Sequence, residues 1–133
     1  MAAMHRLFQL MAEKNASDIF VSAGAPINIK INGVCMPVNQ QTMDVATIRG
    51  LMQEVLSARQ LAEFEETMEL TTGYALEGVG NFRISALRQK GTPAFVVRYI
   101  PAQIPQLDTL NLPPALADII MEKRGLVLMV GAT

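Results

Sequence analysis

The chain has no tryptophan, one cysteine and one histidine, and only 5% of its residues are aromatic. The single cysteine, Cys35, excludes an internal disulfide and a cysteine-rich metal site, and it suits a reducing compartment. Beside an Asn-Gly turn it reads as a small buried hydrophobe rather than a nucleophile. The single histidine, His5, would have to serve alone in any Ser–His or Cys–His pair and in any histidine-based metal site. It reads as an ordinary surface or helix-end residue. No apolar run approaches the ~20 residues of a membrane span. The start, MAAMHRLFQL, has neither the apolar core nor the cleavage site of a signal peptide. Excess charge is lacking too. A formal net charge of −1 gives no field that would attract nucleic acid, so any anion site must be local. The expectation is a soluble cytosolic protein with no metal site.

What is present is apolar content. Half of the 133 residues are hydrophobic and 17% are charged, which predicts a folded globule. Met4, Leu7, Phe8 and Met11 fall at helical spacing and predict a helix from Met4 to Lys14. Asp18 to Ala23 reads as a strand. In INIKING, Ile27, Ile29 and Ile31 share one strand face, and Asn32-Gly33 predicts a hairpin turn. The return strand, Val34 to Val38, contains Pro37 and should be short or at an edge. Asp44 and Ser57 are predicted N-caps of two helices, the first from Val45 to about Leu56 and the second carrying Leu61 and Phe64. Strands are expected at Leu70–Leu76, Asn81–Gln89 and Pro93–Ile100.

Four of the seven prolines then fall in PAQIPQLDTLNLPP, which reads as an extended linker. A helix from Ala115 to Lys123 and an apolar strand at Leu126–Val130 should follow. The outline is an α+β sheet domain over residues 1–100, a linker over 101–112, and the start of a second domain over 113–133. Met52, Met68 and Met121 are expected to fill core, and the acidic run EFEETME to be a solvated helix face.

Two features could carry chemistry. In NFRISALRQ, Phe82, Ile84 and Ala86 share one face and Arg83, Ser85 and Leu87 the other. In PAFVVRYIP, Phe95, Val97 and Tyr99 oppose Val96, Arg98 and Ile100. If Lys90-Gly91 is a two-residue turn, Gln89 pairs with Thr92 and Arg83 falls opposite Arg98. Like charges directly opposed across a ladder are unfavourable. Either an anion such as a carboxylate or phosphate sits over the pair, or a register shift separates them, or both splay into water. The second feature is the ending, GLVLMVGAT. An apolar strand running into Gly131, Ala132 and Thr133 is how a strand–P-loop–helix unit begins. The motif's lysine would follow, with coding sequence continuing Gly-Ser-Gly-Lys-Ser or Gly-Ser-Gly-Lys-Thr. Without that lysine, the 133 residues alone are expected to be catalytically silent.

Four ordered stretches, ASDIFVSAGAP with INGVCMPV, GNFRISALRQKG, VVRYIP and KRGLVLMVGAT, make the chain similar to the N-terminal region of the type IV pilus retraction ATPases of the PilT/PilU type. VVRYIP and the VGAT ending are closer to the PilU pattern. The resemblance implies a PAS-like antiparallel sheet with flanking helices, joined by a linker to the first helix and strand of a RecA-like ATPase domain. It implies a cytoplasmic homo-hexamer, peripheral to the inner membrane at the pilus base. That hexamer would bind ATP and Mg2+ and work with an inner-membrane platform and a paralogous retraction ATPase. Arg83 and Arg98 stand where the family's N-terminal arginines approach the ATP phosphates, and Gly131 and Thr133 match the first and third P-loop residues. Asn81 stands where many relatives have a further arginine, which removes some positive charge. The alternatives are the N-terminal domain of a pilus assembly or type II secretion ATPase, and a stand-alone PAS-like scaffold or sensory module.

Overall fold

A computed structural model of the chain describes residues 2–101 and 103–131. These divide into two compact units, residues 1–102 and 103–133. In the first unit, helix α1 (Ala3–Glu13) is followed by strands β1 (Asp18–Ser22), β2 (Pro26–Ile31) and β3 (Val34–Thr42). Helices α2 (Val45–Val55) and α3 (Ala58–Thr67) come next, and strands β4 (Glu69–Leu76), β5 (Gly80–Gln89) and β6 (Thr92–Ile100) complete the unit. The six strands form one sheet in the order β3-β2-β1-β6-β5-β4, with every neighbouring pair antiparallel. This is the α+β architecture expected from the sequence.

Local chemistry explains the element ends. Asn32-Gly33 and Lys90-Gly91 both have positive φ at the two turn positions, the geometry that matches the twist of a two-residue hairpin. Asp44 accepts a hydrogen bond from the Thr47 N–H at 2.7 Å and starts α2. Ser57 and Gln60 form a capping box that starts α3. Pro37 lies in β3, at the sheet edge, where a missing N–H costs no ladder bond. β3 is nonetheless longer than the expected Val34–Val38. An irregularity between Pro26 and Asn28 lets pairing resume at Pro26 and Thr42.

One face of the sheet is the core face. Ile19, Val21, Ile29, Phe82, Ile84, Phe95 and Val97 lie on it, in one buried cluster with Met4, Phe8 and Met11 of α1, Ile48, Leu51 and Met52 of α2, and Phe64 of α3. Phe8 stacks on Phe82 with ring centroids 4.1 Å apart, and Phe82 meets Tyr99 at 5.2 Å. All three helices of this unit pack on this face, and among its described residues none lies on the opposite face of the strands.

Two expectations about single residues fail. Cys35 is exposed, because β3 is an edge strand and Cys35 pairs with Lys30 on the face away from the helices of this unit. Of the methionines expected in the core, only Met52 is buried. Met68 ends α3 in a left-handed conformation and is 55% exposed, since the chain must reverse there into β4. Met121, in the second unit, is 79% exposed.

The second unit has a 3₁₀ turn at Leu107–Leu110 and a short helix, α4 (Ala115–Ile119), which ends four residues earlier than expected. The predicted strand at Leu126–Val130 is not formed, and its side chains are 57–93% exposed. A strand needs a ladder partner, and the described residues of this unit contain no other strand. Ala132 and Thr133 lie outside the described residues, and Gly131 is the last described position. Among the described residues, no helix is long and apolar enough to cross a membrane.

Candidate functional site

The β5–β6 hairpin has the register that the turn dictates. Gln89 pairs with Thr92, and Arg83 lies directly opposite Arg98. The register shift weighed as an alternative is therefore absent. Period-two alternation puts both arginines on the face away from the helices, where both are exposed.

The row containing them continues across the sheet. Cys35 on β3 pairs with Lys30 on β2, Lys30 with Asp18 on β1, and Asp18 with Arg98 on β6. Arg98 then faces Arg83 on β5, and Arg83 faces Gly73 on β4. The charges run plus, minus, plus, plus from Lys30 to Arg83.

Asp18 is the residue that reading the sequence missed. It is the one charged side chain in the buried set, 4% exposed, and its Oδ1 accepts a hydrogen bond from Arg98 Nε at 2.8 Å. Arg98's own side chain is 57% exposed, so the pair joins a buried carboxylate to a guanidinium facing water. A buried carboxylate requires such a partner. Only Nε is engaged, and the four N–H bonds on the terminal nitrogens stay available. The local signal, Asp at the head of a strand, says nothing of this, because its partner is 80 positions away.

Arg83 differs from Arg98. Among the described residues, no carboxylate lies within ion-pair distance of it. It borders an open recess of about 520 Å³ lined by Thr71, Gly73, Tyr74, Asn81, Phe82 and Ile100 among others. The flank at Gly73 is open, and even a Cβ there would meet nothing within 4 Å. Asn81 sits exposed two residues before Arg83. Chemically, the row offers one held guanidinium and one with no ion-pair partner among the described residues, side by side on the face away from the helices of this unit. That arrangement suits an oxyanion that can accept from both.

The remaining charged groups are engaged or isolated. Arg88 lies over the Phe64 ring at 5.6 Å and pairs with Glu65, which also pairs with Arg49 at 3.3 Å. His5 Nε2 is 2.7 Å from the Tyr74 hydroxyl, a tie between α1 and β4. Among the described residues, no group of three or more His, Cys, Asp or Glu could hold a metal ion.

Comparisons with known proteins bear on the fold as a whole. The chain is 38% identical over 128 residues to the type IV pilus ATPase PilU of Pseudomonas aeruginosa, covering 96% of this chain and 34% of that protein. It is 28% identical over 127 residues to the retraction ATPase PilT of the same organism, covering 96% of this chain and 37% of that one. The crystal structure of the pilus retraction motor PilT with bound ADP superposes with a TM-score of 0.74 at 28% identity, over 88% of this chain and 34% of that one. No protein-family model matches. The chain thus spans about a third of the length of the relatives it matches. By sequence and by fold together, it is a homologue of the pilus ATPases PilU and PilT, corresponding to a third-length portion with an N-terminal-type α+β sheet domain.

Proposed function

We propose that the chain is the N-terminal region of a hexameric ATPase that powers pilus retraction. Residues 1–100 are its PAS-like domain, 101–112 its interdomain linker, and 113–133 the beginning of its RecA-like domain. Arg83 and Arg98 approach the phosphates of ATP bound with Mg2+ at a P-loop that starts with Gly131, Ala132 and Thr133. The hexamer works in the cytoplasm against an inner-membrane pilus platform, beside a paralogous retraction ATPase. The observation that carries this reading is the direct opposition of Arg83 and Arg98 on the open sheet face. Homology to PilU and PilT over nearly the whole chain supports it.

The chemistry assigned to the arginines is charge stabilisation. Phosphoryl transfer spreads negative charge over the transferred group, and guanidinium donors brought close to it lower the barrier. They need to approach only in a closed state, so domain closure and hydrolysis become linked. Asp18 leaves enough donors on Arg98 for this role.

The test uses a protein in which this chain precedes an intact P-loop ATPase domain. Arg83→Ala and Arg98→Ala should each lower kcat for ATP hydrolysis by at least about tenfold, a modest share of what such an arginine can supply. Unchanged turnover in both variants would remove the arginines from the mechanism. Native coding sequence beyond Thr133 should continue with a P-loop lysine, and a sequence lacking it would sink the motor reading.

A further inference from the structure

The same row of side chains assigns a role to Asp18. We propose that Asp18 is a positioning residue for the anion site. By holding Arg98 through Nε, it aims the two terminal nitrogens outward beside Arg83, as a fork for a phosphate-type oxyanion. This rests on the reading of Arg83 and Arg98 as an anion site.

Three observations lead here. Asp18 is buried and Arg98 is not, so the carboxylate is the fixed member of the pair and the guanidinium the one that gains order. The contact is made at Nε, which leaves the opposite end of the planar group free. A guanidinium can therefore hold Asp18 and an external oxyanion at once, with neither displacing the other. Asp18, Arg98 and Arg83 are also consecutive partners in one register row, so the order imposed on Arg98 is imposed beside Arg83. Lys30, on the other side of Asp18 in the row, makes no ion pair with it. The carboxylate is thus directed to Arg98 alone.

Asp18 also adds a negative charge near the site. Removing that charge favours any anion, whereas removing the hydrogen bond disfavours an oriented one. The two effects separate in a comparison of neutral variants. Asp18→Asn and Asp18→Ala lose the same charge, but only asparagine keeps an oxygen for Arg98 Nε–H. Asp18→Thr provides the same contrast in a side chain suited to a strand, with a hydroxyl too short to reach Nε.

The experiment is titration of the full chain with pyrophosphate, followed by calorimetry and by the Nε–Hε signals of Arg98 and Arg83 in NMR. The expected result is that Asp18→Ala and Asp18→Thr bind pyrophosphate about tenfold more weakly than Asp18→Asn, the scale of one lost charge-assisted hydrogen bond. Slow exchange of the Arg98 Nε–H should persist in Asp18→Asn and vanish in the other two. Equal binding by the three neutral variants would overturn the positioning role while leaving the arginines' role standing. If Arg83→Ala and Arg98→Ala bind pyrophosphate as well as the unmodified chain, the anion site itself is absent. The proposed function then loses its arginines, and this inference falls with it.

Discussion

Asp44 shows how one exposed side chain couples stability to acid. The Thr47 N–H that it caps stabilises the carboxylate, and this holds its carboxyl below the ordinary value of 3.8. A group whose folded pKa is depressed stabilises the fold above its unfolded pKa and loses that contribution as pH falls through the folded value. Asp44→Asn keeps the capping oxygen without titrating. Its melting temperature should therefore fall less than that of the unmodified chain between about pH 5 and pH 2. Parallel acid profiles would show that the cap adds no pH dependence. Two glycines make a contrasting pair at the same scale. Gly80 has φ +148, and a Cβ there would lie 2.8 Å from Tyr99 Cε2. The Tyr99 ring is held by its hydroxyl donating to the Val79 carbonyl at 3.2 Å and cannot retreat freely. Gly80→Ala should cost about 2 kcal/mol in urea unfolding, whereas Gly73→Ala, beside Arg83 in open space, should stay within about 0.5 kcal/mol.

Helix α1 depends on a neighbouring element for its start. Its N-terminus has no side-chain cap of its own, and the Met4 N–H donates instead to Glu54 Oε2 of α2 at 2.7 Å. Glu54→Ala should lower stability by roughly 1 kcal/mol, as the loss of a cap does. Amide exchange should accelerate in the first turn of α1 and not in β5 or β6. Uniform acceleration would mean that the bond stabilises the whole unit. Elements also mark what the sequence could disclose. The strands, the hairpin turns and the two capped helices were legible because their signals are local: alternation, Asn-Gly and Lys-Gly pairs, and Asp or Ser before an apolar period. The opposition of Arg83 and Arg98 followed by counting from a two-residue turn. The Asp18–Arg98 pair did not, because β1 meets β6 only through the topology of the whole sheet. Exposure of Cys35 was hidden for the same reason, since edge position and the face away from the packed helices are properties of the assembled sheet.

The two units differ in what holds them together. Among the described residues, every buried apolar side chain belongs to the first, from Met4 to Val97, and those from 103 onward are exposed or half-exposed. Ile104, Ile120, Leu126 and Val130 are each at least 80% exposed. A run that reads from sequence as a strand covered on both sides thus lacks the partners such a strand requires. Buried area makes the dominant favourable contribution to folding, so the first unit should account for nearly all the stability of the chain. Ending the chain after residue 102 should therefore leave the melting temperature within about 2 °C of the full chain, less than the shift expected for 1 kcal/mol. Phe82→Ala, which removes a ring stacked on Phe8 and 1% exposed, should cost about 3–5 kcal/mol in either length. A large drop on truncation would show that the exposed apolar run finds a partner in the first unit. Equal stability, with the full chain alone binding an apolar dye, would leave that run an unsatisfied surface, available to the strands of the RecA-like domain proposed to follow it.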